Sequence, residues 1–444
     1  MGLPGDWLLD DFSLIDPDFP SLLRPRFLSY VTYWLNWKLA GNLPWTFRLT
    51  NILIHAAGVQ MCFQALRRLV GEHRAFVAAA MFAVCPIQAD AVLYVFGRPV
   101  ALMGLMLWLA LDRWLVGQRV VAVGCYTAAL LAKEEAAAFP LFLLALEYLW
   151  LKRRQGLREI AAMAGLAVVA VVGTFVASSQ IAGSGAGDQA GVRALSYLAT
   201  QPKVIGVYLS QLAVPYFWGF TWQPEIWPAA CALLWVGILG GLYWARRWEG
   251  SFWVLSGLLF LLPTSSVFPI ADVAAFRRMY LPVAFLFAAL PVLRPTVAGL
   301  WIVLLAGVSA ERAFELYRQP VALWRATIER QPGDLRALLQ LCRYLEPSEA
   351  LQELEKRPSS AANYQTELGR VYLELRRPGD ALRAFGKALA DDPSKASNFY
   401  NRGVALLALG QQDAARADFE RTLGVDPQHK PAREALLQLA RAPK

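Results

Sequence analysis

Apolar segments approaching 20 residues recur from about residue 47 to residue 312 of this chain. An α-helix of about 20 residues spans the roughly 30 Å hydrocarbon core of a bilayer, and in lipid each backbone amide must be satisfied within its own segment. This portion therefore reads as a bundle of membrane helices rather than a soluble core. With 57% hydrophobic and only 17% charged residues among 444, the chain is too apolar for one soluble domain. A net charge of +9 is compatible with nucleic acid, but Arg and Lys fall mostly between the apolar segments, where they set orientation. No nucleic-acid partner is expected. Cys62, Cys85, Cys125 and Cys231 lie in or near apolar segments and Cys342 lies outside them, with no CxxC, so no disulfide framework is expected. The opening MGLPGD has neither the basic and apolar regions of a signal peptide nor the Ser or Thr of a myristoylation signal.

Hydropathy predicts about ten spans, at 47–66, 75–92, 100–116, 119–132, 136–151, 159–181, 226–245, 252–269, 279–293 and 296–311. One set of links holds Arg67, Arg68 and Arg74, then Arg113 and Arg119, then Lys152 to Arg158, Arg246, Arg247 and Arg294. That basic set is assigned to the cytoplasm. The other set holds residues 1–46, Asp90 to Arg98, Lys133 to Glu135, 182–225, 270–278 and everything after 312. Arg24, Arg26, Lys38 and Arg48 break the rule on that outer side and point to anionic headgroups. Residues 26–40 mix aromatics with charge as an interfacial helix does, and 202–217 reads as a second interfacial or re-entrant helix. The Gly-rich stretch 183–191 is a loop placed where a lid would sit.

After residue 312 charge rises and a 34-residue repeat appears. Leu368, Gly369, Tyr372, Ala381, Phe385, Ala388 and Pro393 mark 362–395, and Phe399, Gly403, Ala415, Phe419 and Pro427 mark 396–429. Small residues that let paired helices approach, with aromatics filling the groove, are tetratricopeptide positions. Residues 328–361 read as a degenerate repeat, and Trp324 with Pro332 as part of another. The fold class expected is therefore all-α: a polytopic membrane bundle over 47–312, preceded by an outer loop over 1–46 and followed by a repeat solenoid over 313–444.

Four charged clusters fall on the assigned outer side: Asp10-Asp11, Asp90 with Arg98, Lys133-Glu134-Glu135, and Arg277-Arg278 with Tyr280. A carboxylate at a membrane surface can take a proton from a hydroxyl nucleophile or hold a divalent ion, and Arg forks suit phosphate. Charges close to hydrocarbon are costly and tend to mark working sites. On the first span Thr50, Asn51 and His55 form a polar stripe, Asn51 and His55 being four residues apart. Two ligands do not make a metal site, so this stripe reads as helix packing. No GxSxG, Walker loop or Cys/His metal pattern occurs.

In the segments WLLDDFSLI, NILIH, FAVCPIQADAVLYVFGRP, LLAKEE, ATQPKVIGVYLSQLAVP and RRMYLP, followed by the repeats, the chain resembles the GT-C glycosyltransferases. Within them it is most similar to the transmembrane-and-tetratricopeptide O-mannosyltransferases and their bacterial relatives. It departs from that family where Cys85 replaces a His and Phe276 a Glu, and where a span expected before the acidic loop is missing from the sequence. The resemblance implies inverting sugar transfer from a polyprenyl-phosphate-linked donor to a protein hydroxyl. Asp10 would be the base, supported by Asp11 and Asp90, with a divalent cation (Mg or Mn) held by Asp10 and Asp90 as the one cofactor in view. Arg98, Lys133, Glu134, Arg277, Arg278 and Tyr280 would face the donor phosphate, and the repeats would recruit the protein acceptor. The lipid bilayer is the remaining partner. The expected location is a bacterial inner membrane with the active face and repeats in the periplasm, ahead of the endoplasmic reticulum. The alternative is a non-catalytic membrane scaffold that assembles envelope proteins through its repeats.

Overall fold

The computed structural model describes residues 19–20, 24–180, 194–213, 249–265, 275–318, 320–427 and 429–441. Asp10, Asp11 and the 183–191 loop lie outside the described residues. Among those described, every regular element is helical. The chain forms two compact units, residues 1–319 and 320–444.

The first unit opens with α1 (Phe27–Ala40), which ends at Gly41 with φ 64°. Pro44 then starts α2 (Pro44–Val70), where its missing N–H costs nothing, and Gly71 at φ 83° turns the chain into α3 (Glu72–Val84). A tight passage follows: a 3₁₀ turn Pro86–Gln88, α4 (Ala89–Val92) and a second 3₁₀ turn Val95–Gly97. A Cβ at Gly97 would overlap the Ala91 carbonyl, so only glycine closes this passage. Next come α5 (Arg98–Leu115), α6 (Arg119–Ala132) and a 3₁₀ turn Glu134–Ala138. Then α7 (Phe139–Ala145) runs into a π turn Leu146–Trp150. The unit is completed by α8 (Leu157–Gln180), α9 (Ala194–Ala213), α10 (Gly250–Leu259), α11 (Tyr280–Ala288) and α12 (Pro295–Arg318).

Helices α2 and α5 lie side by side and run in the same direction. Asn51 meets Arg98 at one end, Gly58 packs on Leu105 in the middle, and Arg68 meets Asp112 at the other. Seventeen residues of α2 separate the two polar ends, about 26 Å at 1.5 Å per residue, close to the thickness of a hydrocarbon core. Between the ends the core is aliphatic and aromatic, with Phe285 stacked on Trp108 and Phe260 and meeting Phe142 edge-on. Two buried carboxylates seal the far end. Asp112 receives Arg68 and Arg113, and Glu147 receives Arg153 at 2.9 and 3.0 Å and the Trp114 indole at 2.8 Å.

The count of spans needs correction. Four described helical segments are long and apolar enough to cross a membrane, 44–70, 95–115, 157–174 and 295–314. A fifth is added if Glu72–Val84 and Pro86–Val92, bent by 50°, count as one. About ten were expected. Averaged hydropathy cannot see breaks. Helix α6 stops after 14 residues where Lys133 turns extended (φ −162°, ψ 136°). Helix α7 with its π turn runs 12 residues, Phe139 to Trp150, α10 has 10 and α11 only 9. At 1.5 Å per residue none of these reaches across a bilayer unaided. The expected span 226–245 lies outside the described residues.

The second unit comprises α13 (Pro320–Arg330), α14 (Leu335–Cys342), α15 (Pro347–Lys356), α16 (Ala362–Glu374), α17 (Pro378–Asp391), α18 (Ala396–Ala408), α19 (Gln412–Val425) and α20 (Lys430–Arg441). Helices α16/α17 and α18/α19 are successive packed pairs. A Cβ on Gly369 would stand 2.6 Å from the Phe385 ring, and one on Gly403 would stand 2.7 Å from the Phe419 ring. The same glycine-on-phenylalanine contact thus recurs 34 positions later. Thr366 donates to Asn398 at 2.8 Å across the joint between the pairs. Arg402 grips Asp418 at 2.7 and 2.8 Å inside the second pair. Trp324 on α13 is buried.

Candidate functional site

The site is built at the end of the first unit where α2 and α5 begin. Lys133 closes α6 in an extended conformation, and the next residues tighten into a 3₁₀ turn, so three charged side chains leave one short stretch of chain. Glu134 is held by Arg26 through two hydrogen bonds, at 3.1 and 2.7 Å. Glu135 pairs with Lys133 at 2.7 Å, with 7% and 9% of the two side chains exposed. Ser29 donates to the Ala132 carbonyl at 3.0 Å, fastening the start of α1 beside this turn.

Electrostatics follow from this packing. Burial pulls the Lys133 pKa down. Glu135 opposes that pull, while Arg26 and Arg277 add to it by repulsion. Burial would raise the Glu134 pKa, but the charge and hydrogen bonds of Arg26 overcome it and hold it down to about 2. The reciprocal attraction of Glu134 raises Arg26 above its ordinary value. Lys133 thus feels both Arg26 and Arg277, and Arg26 feels both Glu134 and Glu135.

Arg277 is half-buried and Arg278 buried in the 3₁₀ turn Phe276–Met279. Two tyrosines pin this turn. Upstream, the Tyr208 hydroxyl on α9 accepts from the Ala275 amide at 2.8 Å and donates to the Ala275 carbonyl at 3.1 Å. Downstream, the Tyr280 ring enters a slot between α2 and α5, where a Cβ on Gly104 would stand 2.5 Å from its Cε1. Tyr280 Oη lies 2.8 Å from His55 Nδ1, and His55 Nε2 lies 3.2 Å from the Ala83 carbonyl. A carbonyl only accepts, so the proton is assigned to Nε2 and the tyrosine donates to Nδ1. The Tyr280 carbonyl accepts from Gln88 at 3.2 Å. Tyr280 is therefore fully buried and engaged by protein, and His55 makes helix-to-helix bonds.

Arg98 is fully buried. Its Nε donates to Asn51 at 2.7 Å, and its Nη2 donates to Asn36 at 2.9 Å and to the Phe47 carbonyl at 3.0 Å. Its guanidinium lies over the Tyr33 ring at 4.5 Å. Asn51 in turn donates to the Tyr94 and Val95 carbonyls, so Arg98 knits α1, α2 and the Val95–Gly97 turn together. Asp90, also buried, accepts from Arg312 of α12 at 3.1 Å, and Arg312 lies 5.3 Å over the Phe276 ring. Among the described residues no three His, Cys, Asp or Glu side chains converge as a metal site.

Arg26–Glu134 and Lys133–Glu135 thus lie side by side on one short stretch of chain, within electrostatic reach of Arg277, which shares a turn with Arg278 just ahead of Tyr280. Arg98 and Asp90 sit at the same end with protein partners of their own. Sequence reasoning placed Glu135 in the same cluster but missed Arg26, Arg312 and Tyr208 as partners at this end. Arg26 had left a trace as a cation that breaks the charge rule. Of the four cations assigned to headgroups, Arg48 is buried and Arg26 binds Glu134, leaving Arg24 and Lys38 exposed.

No family model matches the chain. Over 74 residues, 16% of this chain, it is 35% identical to the protein O-mannosyl-transferase TMTC2 of Mus musculus, of which that stretch is 9%. Over 79 residues, 18% of this chain, it is 34% identical to FK506-binding protein-like of Mus musculus, of which that stretch is 23%. The chain spans less than a quarter of the length of these curated relatives. The crystal structure of the P58(IPK) TPR domain aligns over 83% of this chain and 97% of that one, at 15% identity and a TM-score of 0.24, too low to carry an argument.

Proposed function

We propose that this chain is a membrane-embedded glycosyltransferase of GT-C type. It moves a sugar from a polyprenyl-phosphate-linked donor to a protein hydroxyl on the outer face of the membrane, periplasmic in a bacterium. The observation that carries the reading is the crowding of Lys133 and Arg26 beside two carboxylates at the end of an apolar bundle, within electrostatic reach of Arg277. Such a cluster suits an anionic headgroup, because cations held in place before the substrate arrives stabilise charge left on the departing phosphate. The ordered motifs and the similarity to an O-mannosyl-transferase over part of the chain supply the sugar chemistry.

In this mechanism Lys133, Arg277 and Arg278 hold the donor phosphate. Asp10 takes the proton from the acceptor hydroxyl as its oxygen attacks the anomeric carbon, and the lipid phosphate leaves with the bonding electrons. Asp11 supports Asp10, and the repeats present the acceptor protein. A divalent cation, where one takes part, would be held by Asp10 and Asp90. Asp90 and Arg98 shape the site from behind through Arg312 and through Asn51 and Asn36.

The test is transfer from a polyprenyl-phosphate sugar in proteoliposomes, with Asp10→Asn and Lys133→Ala at wild-type expression. Loss of transfer in both supports the reading. Undiminished transfer by Asp10→Asn removes Asp10 as the base, and no transfer by the wild type with any polyprenyl sugar removes the enzyme class. The helix pairs of the second unit favour a second reading, a scaffold that assembles envelope proteins, which predicts full complementation of a deletion by the Lys133→Ala chain.

A further inference from the structure

We propose that Glu135 is a built-in counter-ion, filling against Lys133 the place that a phosphate oxygen takes when an anionic substrate binds. The phosphate class rests on the function proposed above, whereas the exchange itself can be read without any transfer reaction.

Three observations converge. First, the two neighbouring glutamates have different tasks. Glu134 is fixed by both arms of Arg26, whose helix is fastened in turn by Ser29 on the Ala132 carbonyl. Glu135 instead pairs with Lys133 at 2.7 Å and touches Arg26 only through its more distant charge. Second, both members of that pair are nearly buried, so neither can lose its partner to water cheaply. A buried ion pair is a poor source of stability compared with apolar packing, while breaking it leaves an uncompensated charge. Only another charged group replaces a partner there. Third, Lys133 feels Arg26 and Arg277 in addition to the glutamates. Among the described residues Lys133 thus has cations on more than one side, donors that a bound anion can share. A phosphate carries more charge than a carboxylate and offers more acceptor oxygens to these donors. It therefore outcompetes Glu135 for Lys133, and the displaced carboxylate, carried on the short Glu134–Ala138 turn, keeps a compensating charge in Arg26, which already feels it. With Glu135 on Lys133 the empty site stays compact and rejects weak anions.

The experiment uses the purified full chain in detergent at pH 7.5 and constant ionic strength. Thermal stabilisation is followed as a function of inorganic phosphate and, in a second arm, of a short-chain polyprenyl phosphate. The chains compared are wild type, Glu135→Gln, and the doubly apolar Lys133→Met/Glu135→Leu. The expected result is a phosphate midpoint at least tenfold lower in Glu135→Gln than in wild type, with the response abolished in the double variant. A midpoint that is unchanged or higher in Glu135→Gln overturns the proposal, as does an equal response in all three chains. If Glu135→Gln fails to fold without ligand, phosphate during solubilisation is expected to restore its yield, and failure to restore it also overturns the proposal. A tenfold shift seen with polyprenyl phosphate alone assigns the site to a lipid headgroup, and one seen equally with inorganic phosphate assigns it to the phosphate itself. Exchange without any sugar transfer sinks the glycosyltransferase reading and leaves the counter-ion intact.

Discussion

Replacing Arg98 tests whether its guanidinium faces protein or substrate. Its three shorter hydrogen bonds, at 2.7, 2.9 and 3.0 Å, run to Asn51, Asn36 and the Phe47 carbonyl. Hydrogen bonds to charged groups contribute about 1.5–3 kcal/mol each, so three give a gross loss of about 4–9 kcal/mol on Arg98→Met. The variant also removes the cost of burying a guanidinium and keeps part of the apolar stem, which offsets roughly half. A net loss of about 3–4 kcal/mol is expected, or roughly 6–8 °C in unfolding temperature at about 2 °C per kcal/mol for a large unit. Arg98→Lys keeps the charge but not the fork and should lose about half as much. The assay is thermal unfolding of the purified chain in detergent, with a double-mutant cycle against Asn51→Leu. Direct contact requires a coupling of about 1–3 kcal/mol between the two positions. An Arg98→Met chain that melts within 1 °C or so of wild type, shows no coupling to Asn51 and yet loses donor binding would refute this account.

Gly104→Ala places a methyl 2.5 Å from Cε1 of Tyr280, a ring with no room to retreat, and should destabilise by about 1–3 kcal/mol in detergent melts despite its better helix propensity. Gly403→Ala does the same to Phe419 in the repeats, whereas Gly379→Ala, with open space around its Cβ, should be neutral or slightly stabilising, and equal effects at the two sites would contradict the packing. Because its folded pKa is depressed to about 2, Glu134 contributes stability that is fully present above its ordinary 4.5 and lost as pH falls toward 2. Glu134→Gln should therefore flatten the acid limb of a stability profile between about pH 4.5 and 2 and leave its shape between pH 5 and 8 unchanged. Tyr208→Phe removes the hydroxyl that both donates to and accepts from Ala275, and should raise the donor KM more than it lowers kcat because the Arg277 turn loosens.

The sequence by itself determined which parts of this chain are apolar, where its repeats fall and which residues carry charge near a membrane. Those are local properties: a period of 34 residues puts Gly369 and Gly403 on their phenylalanines wherever the unit sits. The KEE and RRMY clusters were legible for a similar reason, since a charge beside a long apolar segment stands out in one dimension. Tertiary structure decided what those charges touch. Arg26 and Glu134 are 108 positions apart, Asp90 and Arg312 are 222 apart, and no periodicity records which of several cations is within reach of a given carboxylate. The same holds for the number of spans. Hydropathy averages over a window, but the extended backbone at Lys133 ends a helix without making its sequence any less apolar. Partnership and continuity depend on three-dimensional packing, and that is why Arg98, Glu134 and Tyr280, alike as charged or polar residues beside apolar segments, have different tasks in the fold.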